Sequence, residues 1–267
     1  MIKVGLVGCG VIGTEIAKAI DKKIPVLRLV AICDRNEDKE HRLIQLLDSK
    51  PVLATIEGVI EASDLVIEAA SAQVVGSLAR KVIENDKDIM IMSVGGMVDY
   101  LYLFDEARKR GCRIYFPSGA IAGLDGVKAA KEAHINSVTL TTSKPPSGLR
   151  GAPYVVERGI DLENIKERTV IFEGTCKEAV KAFPKNINVA ASLSFAGIGI
   201  DKTKVRVIAD PSLKRNVHHI SLEGDFGKME TEVENVPSPF NPKTSYLAAL
   251  SAVATLREIA DTIHIGT

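Results

Sequence analysis

Over residues 1 to about 116, short apolar runs alternate with amphipathic ones. Ile2-Lys3-Val4-Gly5-Leu6-Val7 is a strand by this pattern, and residues 11–21 follow with helical spacing. The strand Leu29-Val30-Ala31-Ile32-Cys33 comes next. A helix is predicted over 36–48, with Leu43, Ile44, Leu46 and Leu47 on its apolar side. The order repeats with strands at 65–67, 89–92 and 113–116 and helices at 72–84 and 100–110. This strand–helix alternation predicts a parallel sheet wound with helices on both faces. Ligands of such sheets bind beyond the C-terminal ends of the strands. The segments there are Ala69-Ala70-Ser71, Ser93-Val94-Gly95-Gly96 and Pro117-Ser118-Gly119-Ala120, all rich in small residues. Small residues suit a surface against which a flat ligand lies, and they equally suit ordinary loops.

The pattern then changes. Residues 118–126 lead into a helix expected over 127–133. A β-branched strand is expected at 137–142, a Pro/Gly loop at 144–151, a strand at 169–172 and helices at 176–183 and 187–196. Three antiparallel strands are expected at 204–209, 216–223 and 228–233, the last two joined by the turn Glu223-Gly224-Asp225-Phe226-Gly227. Residues 236–242 end this α+β unit. Thr244 or Ser245 is expected to cap a last helix reaching about 262, with Leu247, Leu250, Val253 and Leu256 on its apolar side. The domains are expected at 1–122, 123–240 and 241–267, the last returning to pack on the first.

The first strand ends in Gly8-Cys9-Gly10-Val11-Ile12-Gly13. In a Gly-x-Gly-x-x-Gly between strand and helix, the first glycine makes the tight turn and the second lets backbone approach a pyrophosphate. The third lets helix and strand pack closely, and the helix N-terminus at Val11 and Ile12 offers N–H groups to phosphate. Asp34 closes the second strand at the place where an acid can accept from ribose hydroxyls. The alternative is a glycine turn that serves packing alone. Asp34 favours NAD, and the neighbouring Arg35 leaves NADP open.

The 267 residues can bury a full core, and the charge is balanced at 34 basic and 34 acidic residues. No single-sign block indicates a nucleic-acid surface or a membrane anchor. No leader peptide is read at the start, and no apolar run is long enough to span a bilayer. Cys9, Cys33, Cys112 and Cys176 lack metal-ligand spacing, so no metal is expected; they read as reduced thiols of a cytoplasmic protein.

His41, His134 and His264 sit in surface or terminal contexts. His218 and His219 occupy a strand, so their imidazoles point to opposite faces. Asn216, His218, Ile220 and Leu222 share the face expected to be inner. His218 is therefore a candidate general acid or base; the pattern also allows that role to fall on His219, or on neither. Asn186 suits a helix cap, and Asn188 either bridges locally or holds a carboxamide. Lys144, Arg150, Lys204, Arg206, Lys214 and Arg215 could each meet an anionic substrate, and sequence does not choose among them. No stretch of the sequence favours a lysine that forms a Schiff base.

The glycine turn, Pro117-Ser118-Gly119-Ala120-Ile121-Ala122-Gly123-Leu124-Asp125, Lys185-Asn186-Ile187-Asn188-Val189-Ala190-Ala191, and Ala209-Asp210-Pro211 followed by Asn216-Val217-His218 together resemble the L-aspartate dehydrogenase family. The resemblance runs from near residue 1 to the final helix. It implies an α/β protein with an N-terminal Rossmann-type doubly wound parallel sheet and an α+β catalytic domain. It implies NAD(P)-dependent oxidative deamination of L-aspartate to iminoaspartate, which hydrolyses to oxaloacetate and ammonia or feeds NAD biosynthesis. It places the active-site histidine at His218 and cofactor contacts at the Ala122 amide and Asn188. A homodimer acting on a small molecule is expected, without nucleic acid or membrane. Dihydrodipicolinate reductase, a two-domain rival, has a lysine and an anion loop where this chain has Ile220-Ser221-Leu222-Glu223-Gly224 after His219. A homoserine-dehydrogenase-like enzyme and a non-catalytic dinucleotide sensor are also compatible with the glycine turn.

Overall fold

The computed structural model describes residues 1–184, 188–238 and 241–266, without the side chains of 241–244. The chain forms two compact units, Met1–Pro117 with Ala249–His264, and Ser118–Ala248 with the chain end from Ile265.

In the first unit, β1 (Ile2–Val7), α1 (Val11–Lys23), β2 (Leu27–Cys33), α2 (Glu37–Gln45), β3 (Val52–Leu53) and α3 (Ile56–Ala62) are followed by β4 (Leu65–Glu68), α4 (Ala72–Glu84), β5 (Asp88–Ile91), α5 (Tyr102–Arg110) and β6 (Ile114–Tyr115). The six strands are parallel in the order β3-β2-β1-β4-β5-β6. Chain order reverses at β1, with β2 on one side and β4 on the other, so the glycine turn lies at the switch point where such sheets bind ligands. The strands are apolar nearly throughout because helices cover both faces. Val4, Leu6, Leu29, Ile32 and Ile67 pack with Ile16 and Ile20 of α1 in one core.

The second unit contains α6 (Leu124–Ala130), β7 (Ile135–Lys144), α7 (Pro153–Glu157), β8 (Thr169–Thr175), α8 (Cys176–Ala182), α9 (Asn188–Ala196), β9 (Lys204–Ala209), β10 (Asn216–Gly224), β11 (Gly227–Asn235), β12 (Pro237–Ser238) and β13 (Asn241–Ser245). The last helix, α10 (Tyr246–Ala260), brings Ala252 and Leu256 into the first unit's core. The second sheet has the order β11-β10-β7-β9-β8.

That order corrects the expectation of three adjacent antiparallel strands. β9 does not pair with β10. It pairs parallel to β7 and antiparallel to β8, while β10 takes the other edge of β7. β7 takes the centre: it is ten residues long and buries Val138, Leu140, Thr142 and Lys144 on its inner face, while Thr139 and Thr141 on the other face are partly exposed. The buried backbone of a central strand needs a ladder on both edges.

Smaller differences are local. Asn36 is the cap of α2, accepting from Lys39 N, and is not its first turn. Helix α6 starts three residues before the expected 127, directly after Gly123. Ser245 stands directly before α10, at the expected cap position; it also ends β13, and its hydroxyl donates to the Asn235 carboxamide oxygen. Helix α3 is too short for the apolar pattern to predict; Thr55 caps it by accepting from Gly58 N at 3.2 Å. The expected cap Asn186 lies outside the described residues.

Candidate functional site

Three glycines of the β1–α1 turn do three different things. Gly8 has φ +106°, and a Cβ there would stand 2.4 Å from the Ala69 carbonyl oxygen. A Cβ at Gly13 would stand 2.0 Å from the Gly8 carbonyl oxygen, so these two positions require glycine for the turn and for helix–strand packing. At Gly10 an added Cβ would meet nothing within 4 Å. Packing therefore does not require glycine at Gly10, and the open space leaves its backbone approachable. No side chain caps α1 at Gly10, so the helix N-terminus at Val11, Ile12 and Gly13 keeps the donor character that favours an anion.

Asp34 is tied to this turn. Its Oδ2 accepts from Cys9 N at 2.8 Å and its Oδ1 from Asn36 N at 2.9 Å. A carboxylate has about four lone-pair sites, so acceptor capacity for ribose hydroxyls remains. Burial raises the Cys9 thiol to about 12, with the negative charge of Asp34 adding to it, so Cys9 is an inert thiol of the turn. These features fit a dinucleotide: a turn, an open glycine, an uncapped helix start and an acid joined to the same loop.

The rim of the first sheet holds a residue that the motifs do not single out. Glu68, at the end of β4, is fully buried. Its Oε1 accepts from Ala70 N at 2.8 Å and Ser93 Oγ at 2.9 Å, and its Oε2 accepts from Ser93 N at 2.8 Å. It fastens together two of the three small-residue loops. Burial raises its pKa, against the opposing pull of these donors. The signal in the sequence is an acid closing the apolar run Leu65-Val66-Ile67.

In the second unit, His218 lies in the middle of β10 with 4% exposure, while His219 is half-buried on the opposite face. His218 pairs in register with Thr142 of β7 and Val233 of β11. Its Nδ1 shares a 3.1 Å hydrogen bond with the Thr142 hydroxyl. Burial pushes the imidazole down to about 3, and the charge of Lys144 adds to that effect. The ring is therefore neutral across the working pH range.

The segment before α6 lies over the same sheet face. Asn235 Nδ2 donates to Ala120 O at 2.9 Å, and Thr231 Oγ1 to Ala122 O at 3.2 Å. Thr231 and Asn235 flank Val233 by strand alternation, so Ala122 is held beside the strand that pairs with His218. Asn188 is the first described residue of α9, and a Cβ on Gly119 would come within 3.6 Å of its neighbour Val189. Ala122, Asn188 and His218 thus belong to one unit, in which the segment 119–122 lies near both the start of α9 and β11.

Of the cations, Arg150 pairs with Glu163, and Arg206 with Glu173 at 2.9 Å. Lys204, Lys214 and Arg215 are exposed. Lys144, at the end of β7, is buried. Of the remaining histidines, His41 is exposed with Nδ1 2.8 Å from Glu37 O, and His264 is exposed.

Two family models match the chain. Residues 125–259 match a family model described as aspartate dehydrogenase, C-terminal, and residues 8–117 match one described as homoserine dehydrogenase, NAD binding domain. An L-aspartate dehydrogenase of Methanosarcina mazei is 53% identical over the full length of both chains, and one of Nitrosopumilus maritimus is 45% identical, also over the full length of both. The crystal structure of an aspartate dehydrogenase from Thermotoga maritima covers all of both chains with a TM-score of 0.77 and 27% identity. A homoserine dehydrogenase structure from Thiobacillus denitrificans shares the fold, at 16% identity and a TM-score of 0.63.

Proposed function

Because the chain belongs to the L-aspartate dehydrogenase family, we propose that it oxidises L-aspartate with NAD(P), releasing iminoaspartate that water converts to oxaloacetate and ammonia. When bound, NAD(P) supplies the two-electron acceptor for the Cα–H bond. Gly8, Gly10, Val11, Ile12 and Gly13 would hold its pyrophosphate and Asp34 its ribose. Ala122 and Asn188 are the proposed contacts from the second unit.

The observation that carries the assignment of chemistry is the buried, neutral imidazole of His218 anchored by Thr142. With Nδ1–H donated to the Thr142 hydroxyl, Nε2 keeps its lone pair. That nitrogen takes a proton from the substrate amine or from the water that attacks the imine. The hydrogen bond holds the ring plane, and with Nδ1 as its donor it leaves Nε2 as the acceptor.

NAD is the favoured cofactor, because Asp34 and the buried Glu40 place two carboxylates by the second strand's end, where a 2′-phosphate would be repelled. Arg35 is exposed beside them and keeps NADP use open. A homodimer is part of the same reading: half-exposed Thr139, Thr141, Val217 and His219 give the second sheet an outer face available to a two-fold partner. A cytoplasmic setting is supported by four free cysteines. Delivery of iminoaspartate to pyridine-nucleotide synthesis rests on the product's chemistry alone.

One spectrophotometric screen tests the reading. L-aspartate, homoserine, and oxaloacetate with ammonia are each offered with both cofactors. Change with aspartate, and the reverse change with oxaloacetate and ammonia, is expected. Turnover of homoserine alone, or binding of cofactor without turnover of any substrate, would contradict it.

A further inference from the structure

Glu68 is a fully buried carboxylate at the end of β4, and the chemistry assigned to His218 gives it no part. We propose that Glu68 is a positioning residue for the cofactor: it holds the peptide between Ala69 and Ala70 and the segment that starts at Ser93 as one surface for the half of the dinucleotide beyond the pyrophosphate. This deepens the cofactor reading above and rests on it.

The argument starts from the order of the strands. β1 stands between β2 and β4. A dinucleotide bound at such a switch point crosses from one side of the turn to the other. Asp34 follows β2, so a ribose held there puts the adenosine half on that side. The other half then falls beyond β4 and β5, where the loops after Glu68 and Ile91 begin.

The bonds of the Glu68 carboxylate all go to that rim. In register, Glu68 pairs with Val7 of β1 and Ile91 of β5. Its oxygens accept from Ala70 N, Ser93 N and Ser93 Oγ, and each of these donors lies past the last residue of its strand. The peptide it holds is the one against the glycine turn: a Cβ on Gly8 would stand 2.4 Å from Ala69 O and 2.7 Å from Ala70 N. The Ser93 segment is seated on the start of α4, where a Cβ on Gly96 would stand 2.5 Å from Ala72 O. Glu68 thus joins the two loops from their buried side, while Ala70 is exposed and Ser93 half-buried.

Burying a carboxylate costs stability, and an apolar side chain would fill the same volume at less cost. Burial raises the Glu68 pKa even against the pull of its donors, so the site works against the charge it carries. What the carboxylate provides is direction: its two oxygens fix where two backbone N–H groups and one hydroxyl stand. A ligand that lies on both loops needs them set before it arrives, because a support slightly out of place weakens binding and turnover together.

The test uses the full-length enzyme and the variants Glu68→Gln and Ser93→Ala. Kd for NADH is measured by fluorescence, Kd for ADP by calorimetry, and the unfolding temperature beside them. ADP carries the adenosine and the pyrophosphate and lacks the half assigned to these loops. Glutamine keeps the size of Glu68 and turns one acceptor oxygen into an N–H donor that faces the donors of the loops. Glu68→Gln should raise Kd for NADH by about 5- to 20-fold and leave Kd for ADP within about 2-fold. Ser93→Ala removes the hydroxyl bond and keeps Ser93 N, so it should show the same difference, with Kd for NADH raised by about 2- to 5-fold. Equal weakening of NADH and ADP, or a lower unfolding temperature with NADH binding intact, marks a residue that serves the fold alone and would overturn the proposal. If Glu68→Gln does not fold, unchanged NADH binding in Ser93→Ala overturns it. An unaltered enzyme that binds neither nucleotide would overturn the cofactor reading, and this assignment with it.

Discussion

The His218 imidazole meets the Thr142 hydroxyl at 3.1 Å, across the register pair that joins β10 to β7, and both side chains are buried. One ring nitrogen is committed to the protein, and the other is the one to which the proposed mechanism gives the proton transfer. Replacing His218 by alanine should lower kcat by about 100- to 10,000-fold, the range of general acid–base catalysis, with NADH affinity unchanged. Thr142→Val should give a smaller loss of kcat with little change in KM, since it frees the ring without removing the base. Steady-state kinetics on the two variants, with fluorescence titration of NADH, checks both.

Stability should depend on pH through two buried groups. His218 is held down to about 3 from 6.5, so as pH falls below 6.5 the unfolded chain binds this proton first and folding stability is lost toward pH 3. Lys144 is held down to about 8 from 10.5, so between these values the unfolded chain again holds the extra proton, and stability from this group rises with pH. Urea midpoints across pH should show both slopes, the acid one flattened in His218→Gln and the alkaline one in Lys144→Met.

The glycine turn separates packing from binding. Gly13→Ala drives a methyl group against the Gly8 carbonyl and should destabilise the fold by about 1–3 kcal/mol. Gly10→Ala adds a methyl group where space is open, so stability should stay within about 0.5 kcal/mol while the KM for NAD rises. Thermal unfolding and cofactor kinetics on the two variants separate these effects.

Cofactor choice should follow Asp34. Asp34→Ser removes the negative charge and should narrow the preference for NAD over NADP. It also loses the full-strength acceptor for Cys9 N, so NAD binding itself should weaken. The ratio of kcat/KM for the two cofactors is the relevant measurement.

Much of this arrangement is legible in sequence because it is local. The roles of Gly8 and Gly13 follow from a strand turning directly into a helix, and the inner face of β10 follows from side-chain alternation through His218, Ile220 and Leu222. What cannot be read depends on distant chain segments. Nothing near Lys204–Ala209 says that it pairs with β7 and not with β10; that is decided by the distant, ten-residue β7, which offers an edge to each of them. For the same reason Lys144 resembles five other cations in sequence. Its burial exists only once β7 is central and the Pro146–Leu149 turn folds against its stem. Glu68 is hidden because, beside the local Ala70 N, its donors come from Ser93, which reaches it only when β4 and β5 lie side by side.

The central claim is oxidation of L-aspartate at Cα. The most direct measurement is incubation of the enzyme with L-aspartate carrying deuterium at Cα and with NAD, followed by mass analysis of the nicotinamide product and assay of ammonia. The account predicts reduced cofactor that carries the deuterium, matched by an equal amount of ammonia. Reduced cofactor without deuterium, or no reduction at all, would contradict it.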